Sequence, residues 1–201
     1  MDLKLLAWGL RRRTGGLPRL WLFTDRRRLA DPRASVAALP RGRAGVVLRH
    51  DDDPARARLG VDLARICRAR RLVLVVAGDV RLAAALGAGM HLRGGRWPGV
   101  IRRAGVLTSS AHSAEDLRRA RAVGADLVFL SPAFATASHP GARGLGPLRW
   151  AALVRRMRHG AGRATAVPVI AALGGVDGRS IQRLSSRLVH AAGAIAALSQ
   201  C

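Results

Sequence analysis

Val167-Pro168-Val169-Ile170-Ala171-Ala172-Leu173-Gly174-Gly175-Val176 is the stretch on which the fold turns. A short apolar run ends in a glycine pair, which is the pattern of a buried strand closed by a turn. The sequence predicts a helix over Asp177–Leu188 directly after it. A strand that passes through glycines into a helix leaves backbone N–H groups exposed at the helix N-terminus, where the helix dipole favours an anion. In a barrel of alternating strands and helices, a phosphate site sits in this late position.

Upstream the same alternation recurs. Strands are predicted at Leu20–Thr24, Gly45–Arg49, Leu72–Ala77, Gly89–Leu92, Val106–Ser110 and Asp126–Leu130, with the eighth at Gly193–Leu198. Helices are predicted at Pro54–Arg70, where Leu59, Leu63, Ile66 and Cys67 share one face, at Asp79–Leu86, from Ser113, and at Pro147–Arg158. Ser113-Ala114-Glu115-Asp116 resembles a capping box with Asp in place of Glu. Pro98–Arg103 reads as a helical turn, and Ser131–Gly146 as a long loop. Eight strands alternating with helices predict a single parallel (β/α)8 TIM barrel over residues 20–201, with an open doubly wound sheet as the alternative. Residues 1–19 read as an irregular or weakly helical N-terminal extension.

The chain of 201 residues carries 35 Lys+Arg against 12 Asp+Glu, and Lys4 is its single lysine. Such a charge fits either a polyanion-binding protein or an arginine-rich surface, and the arginines are spread over most predicted helices instead of forming one tract. A basic field in either case favours anionic, phosphorylated small molecules. Cys67 and Cys201 are the only cysteines, and their placement suggests neither a disulfide framework nor a zinc site. The apolar stretch Leu3–Leu10 is short and is followed, not preceded, by Arg11-Arg12-Arg13, so it is no signal peptide. No apolar run reaches membrane-spanning length. The expected place is the cytoplasm. Membrane partners are not expected, nucleic acid is disfavoured, and a homo-oligomer stays open.

Several segments, in order, resemble the thiamine phosphate synthase and thiazole tautomerase family of barrels. They are Val46–Arg49, Gly89–Leu92, Ser110–Ser113, Gly124–Val128, Ser131–Thr136, Pro168–Gly175 and Gly193–Ser199. The resemblance implies a transferase of thiamine biosynthesis. It would couple a pyrimidine diphosphate to a thiazole phosphate with release of pyrophosphate, using Mg2+. It also implies roles for particular residues here. Arg49, at a strand end, would grip the diphosphate, and Ser110 would lie near it. Thr136 and Ser138, with the backbone of Gly174 and Gly175, would hold the thiazole phosphate, and Ser199 would complete that cup. His139 stands where the family has a lysine, and Ser138 where it usually has threonine. His112 matches a histidine found in both branches, and His91 ends a short strand without an assigned task.

The departures fall on the metal and pyrimidine end. Ala77-Gly78 stands where the synthases carry an Asn-Asp pair. Asp79 comes one residue later, where it reads as a helix N-cap and is a candidate metal ligand, and the run Asp51-Asp52-Asp53 is the other place a cation could bind. The stretch Leu92-Arg93-Gly94-Gly95-Arg96 lacks the family's second metal-binding aspartate, so Mg2+ stays open, with Arg93 and Arg96 as substitute positive charge. The tautomerase histidine is replaced by Pro132. Asp51-Asp52-Asp53 reads as a solvated loop capping the next helix, with Pro54 in its first position. Three functions therefore remain: a synthase with an altered metal site, a divergent or non-catalytic barrel that binds a thiazole-type phosphate, and an arginine-rich polyanion-binding barrel.

Overall fold

The alternating pattern closes on itself. In a computed structural model, which describes residues 1–11, 16–96, 105–136, 143–159 and 166–199, eight parallel strands pair in sequence order and the eighth returns to the first. The strands are β1 (Leu20–Phe23), β2 (Ala44–Leu48), β3 (Val73–Ala77), β4 (Gly89–Leu92), β5 (Leu107–Ala111), β6 (Leu127–Leu130), β7 (Val169–Ala172) and β8 (Ala191–Ala194). Leu20 opposes Ala44 on one side and Ala192 on the other, which is the register that seals the barrel. The protein is a single (β/α)8 TIM barrel.

Two cores follow from the two-residue period of the strands. Trp21, Phe23, Val47, Val75, Leu127 and Phe129 fill the interior, with Phe129 edge-on to Phe23 at 4.7 Å and to Trp21 at 5.7 Å between ring centroids. A Cβ at Gly45 would strike the indole of Trp21, so that strand position has to be bare. The alternate positions, Leu22, Val46, Leu48, Leu74 and Val128 among them, face outward into the shell of helices.

The helices are α1 (Leu3–Leu10), α2 (Arg33–Ala38), α3 (Arg56–Arg70), α4 (Val80–Leu86), α5 (Ala114–Ala122) and α6 (Gly146–His159). In α3 the predicted face is buried at Leu59, Leu63 and Cys67. Burial in that face pushes the Cys67 thiol pKa up to about 12, so it is inert packing. The Ser113 cap holds as expected, accepting the Asp116 N–H at 3.1 Å. Among the described residues no helix is long and apolar enough to cross a membrane.

Four local expectations need correction. The helix expected at Asp177–Leu188 is only a 3-10 turn, Ser180–Arg183. The Asp177 carboxylate accepts the N–H groups of Arg179 and Ser180, and the Ser180 hydroxyl donates to the Gly175 carbonyl, so side chains compete with the helical ladder. The eighth strand ends at Ala194, and Ala196–Leu198 coils into a 3-10 turn. Pro54 lies outside α3, whose N-cap is Ala55. Finally, Leu3–Leu10 is a formed helix. The predicted turn at Pro98–Arg103 lies outside the described residues.

Helix α1 lies along the barrel wall beside β8 and β1. Its Asp2 N–H donates to the Ala197 carbonyl at 2.8 Å, Leu5 is fully buried, and Gly9 sits directly against the Leu20 side chain. At its other end the Leu10 carbonyl accepts from Arg43, and the Arg19 guanidinium stacks on Trp8 at 4.0 Å. The N-terminal segment thus covers apolar wall that the short turns after β7 and β8 leave open.

Candidate active site

The carboxyl ends of the strands surround a cavity of about 990 Å3. This is the face where barrels of this type keep their chemistry, because the loops there are free of the packing that fixes the strands. Its floor carries Phe23, Ala77, His91, Leu173 and Gly193. Arg49, Ser110, His112, Thr136, Gly174 and Gly175 all line it, so most of the sequence-derived site converges on one cavity. Ser138 and His139 lie outside the described residues. Ser199 does not line the cavity: its hydroxyl donates to the Ile195 carbonyl at 2.7 Å, and Ile195, Ala196 and Ala197 line the wall in its place.

At one end the loop after β6 is stitched to the loop after β7. Ala133 N–H donates to the Leu173 carbonyl at 2.8 Å, and Phe134 N–H to the Gly174 carbonyl at 3.0 Å. This places Thr136 beside the glycine pair. Gly175 has φ +63° and would press a side chain into the Ala135 carbonyl, so glycine is required there twice over. The cup is made of turn backbone and side-chain hydroxyl. The helix dipole expected from the sequence is missing because the helix is. Two carboxylates stand at its edge, Asp177 and, from α1, Asp2. Asp2 accepts the N–H of Gly178 at 2.7 Å, a contact that no local sequence pattern announces.

At the opposite end are arginines and aspartates. Arg49 follows β2 and approaches Asp25 at 3.6 Å. Arg93 follows β4 and meets Asp51 at 2.6 Å; Asp51 is also 3.9 Å from Arg56, which reaches Asp79 at 3.8 Å. Asp51 is therefore a cavity residue, not a solvated cap as its run of three acids suggested. Asp79 is the N-cap of α4, accepting Leu82 N–H at 2.9 Å. Ser110 spends its hydroxyl locally, accepting Gly94 N–H at 3.3 Å, while the neighbouring Ser109 accepts Gly95 N–H at 3.0 Å. Arg119 donates to the Gly94 carbonyl and pairs with Asp116, so the backbone that carries Arg93 is tied down from α5.

Two histidines line the cavity, each held by its ring nitrogen. His112 Nδ1 donates to the Ser131 carbonyl at 3.1 Å, which can only accept, and Nε2 is left as the second polar atom of the ring. His91 is buried in the floor with Nδ1 2.8 Å from the Thr108 hydroxyl, whose own donor lies toward the Met90 carbonyl. Burial first, then the charges of Arg49 and Arg93, pushes His91 down to about 3, which keeps it neutral.

Among the described residues the arginine end offers a divalent cation few donors. Ala77 is packed in the interior core, Gly78 has no side chain, and the Asp79 and Asp51 carboxylates share Arg56 between them. Among the described residues no group of three histidine, cysteine or acidic side chains is placed to hold a metal ion.

The profile of the thiamine monophosphate synthase family matches residues 20–200. The chain is 32% identical over 139 residues to the Aquifex aeolicus protein named "Putative thiamine-phosphate synthase 2", covering 65% of this chain and 75% of that protein. Among solved structures it is similar to a thiamine phosphate pyrophosphorylase from Pyrococcus furiosus, with TM-score 0.68 and 23% identity over 89% of this chain and 85% of that one. A thiamine phosphate pyrophosphorylase from Bacteroides thetaiotaomicron matches with TM-score 0.54 and 18% identity, over 89% and 83% of the two chains. The two structural likenesses concern the fold.

Proposed function

This chain belongs to the thiamine monophosphate synthase family, and from that premise we propose that it couples a pyrimidine diphosphate to a thiazole phosphate, giving thiamine phosphate and pyrophosphate. What carries the reading is the division of the cavity. A cup of Thr136, Gly174 and Gly175, edged by Asp2 and Asp177, lies at one end, arginines lie at the other, and an apolar floor of Phe23 and Leu173 lies between them. That is the shape for a flat heterocycle held by its phosphate beside a second one held by its diphosphate.

In the reaction, the thiazole nitrogen lone pair forms a bond to the methylene carbon of the pyrimidine. The bond from that carbon to the diphosphate oxygen breaks, and its electron pair leaves with pyrophosphate. The product retains the positive charge on the thiazolium ring. The protein's work is to align the two halves and to stabilise charge on the departing oxygens. Arg49 supplies a forked donor to the diphosphate. The cup at Thr136 and Gly175 holds the thiazole phosphate so that its nitrogen points at the methylene. His112, anchored through Nδ1 to the Ser131 carbonyl, offers Nε2 to a polar group of the substrate. His91 presents a neutral ring in the floor and does not repel the developing cation.

The test is thiamine phosphate formation from the two phosphorylated halves, in Mg2+ or in EDTA, beside Arg49→Ala. Turnover that falls by a factor of about a hundred or more in the variant supports the reading, the scale at which removal of one charge-stabilising donor acts. No turnover from folded protein at high enzyme concentration overturns it and leaves a barrel that binds a thiazole-type phosphate without coupling it.

A further inference from the structure

The two departures from the family pattern at the metal end meet in space. Gly78 directly follows β3 with φ +69°, and a Cβ built on it would lie 3.6 Å from Arg93 Nε and 3.8 Å from the guanidinium carbon. The side chain missing after β3 would therefore have pointed against the arginine that follows β4. We propose that Arg93, lying beside Gly78, binds the diphosphate with its own positive charge in place of a divalent cation, and that Asp51 holds its guanidinium until the anion arrives.

The inference takes its ligand from the function proposed above; its geometry stands apart from it. The backbone of Arg93 is fixed by Ser109, Ser110 and Arg119, while its side chain stays 60% exposed at the cavity rim. A planar guanidinium offers paired N–H donors to two phosphate oxygens and loses none of a tightly held water shell on doing so. Asp51 competes for the same donors at 2.6 Å. It also has somewhere else to go: Arg56 is 3.9 Å away, only 17% exposed, and its Nε is buried without a hydrogen-bond partner. An arriving diphosphate would take Arg93, and Asp51 would close on Arg56. No carboxylate is then stranded beside the anion without a cation. Arg49 faces the same anion with Asp25 as its own partner, so the clamp has two arginines, each relinquishing a carboxylate.

Calorimetric binding of inorganic pyrophosphate to the full chain, in EDTA and in Mg2+, tests this without reference to turnover. The dissociation constant is expected to agree within about twofold between the two buffers. Arg93→Ala is expected to weaken binding by about tenfold or more in both, with its melting temperature confirming the fold. Asp51→Asn is expected to tighten binding, since it removes the competitor; a purely structural Asp51 would weaken it. Pyrophosphate that binds only with Mg2+, that does not bind at all, or that binds Arg93→Ala as well as wild type overturns the proposal. An Asp51→Asn protein that binds no tighter overturns the role of Asp51. The two readings fail separately. Metal-free pyrophosphate binding without turnover removes the synthase reading and leaves the clamp, whereas turnover strictly dependent on Mg2+ removes the clamp and leaves the synthase.

Discussion

The Thr24 hydroxyl joins the end of β1 to Arg49: its oxygen accepts the Arg49 N–H at 3.0 Å. The same oxygen lies 2.9 Å from Nδ1 of His50, whose Nε2 faces the Ala30 carbonyl at 3.2 Å. A carbonyl only accepts, so Nε2 carries the proton and Nδ1 accepts from Thr24. Hydroxyl and ring are both buried, and together they set where the first arginine of the site leaves the sheet. Thr24→Val leaves the Arg49 N–H and His50 Nδ1 unsatisfied, at a cost of about 1–3 kcal/mol each where no water replaces the bond. Chemical denaturation should register that loss. Because Thr24 touches no substrate, the variant should raise the KM for the diphosphate half more than it lowers kcat. A kcat loss as large as that of Arg49→Ala would contradict a positioning role.

Gly175→Ala probes the opposite end of the cavity. Its φ of +63° and the Ala135 carbonyl both oppose a methyl group. A backbone strain of about 1–3 kcal/mol, if relieved by moving the turn, displaces the N–H groups of the cup. Affinity for the thiazole phosphate should fall by about tenfold or more, while pyrophosphate affinity is unchanged. Equal loss of both would mean that the two ends of the cavity are not separate subsites.

The barrel was legible because eight short apolar runs, each ended by turn residues, leave little choice of fold. Part of the cavity is legible too: Arg49, Ser110 and the glycine pair sit at strand ends, which share one face, while His112 and Thr136 are reached only through the family resemblance. The misses have particular causes. The alternation of strand and helix predicts a helix after Gly175, but Asp177 and Ser180 turn their side chains on the backbone and stop it. The resemblance puts the Ser199 hydroxyl in the cup, whereas the chain reaches the cavity wall with Ile195–Ala197. Asp51 was read as one of three loop acids, because pairing with Arg93 across strands leaves no trace in local spacing. Asp2 contacts Gly178 across nearly the whole chain, which is beyond any periodicity argument.

His91 gives the protein a pH signature. Its folded pKa, about 3, lies below the unfolded value near 6.5, so between these limits the unfolded chain binds the extra proton. Stability therefore rises with pH across that window and is lost as the solution is acidified, by at most about 1.4 kcal/mol per pH unit for one group. His190 is also pushed down, chiefly by burial, and adds to the same slope. Melting temperatures of wild type and His91→Gln from pH 7 to 4.5 separate the two: the difference between the proteins should shrink steadily as pH falls. A difference independent of pH would place His91 in a solvated or charged state that its burial between Phe23 and Phe129 does not allow.

Asp2 is the last test, because its carboxylate has two effects of opposite sign. It caps α1 by accepting from Lys4 and Leu5, and it ties that helix to the barrel by accepting from Gly178. Burial alone would raise its pKa, but the bonds from Gly178, Leu5 and Lys4 outweigh this and hold it below the usual 3.8. Its contribution is then present above that value and disappears as pH falls through the depressed one. Asp2→Ala should cost about 0.5–2 kcal/mol, the usual worth of an N-cap, and weaken the acid limb of the stability curve. Asp2→Asn keeps a capping oxygen while removing the charge at the edge of the phosphate cup. With the repulsion gone and the Gly178 N–H less well satisfied, an incoming phosphate should bind this variant more tightly than wild type, although the protein melts slightly earlier. Inorganic phosphate titrations of both variants decide the matter: weaker binding in Asp2→Asn would mean that the docking of α1, and not the charge of Asp2, governs the cup.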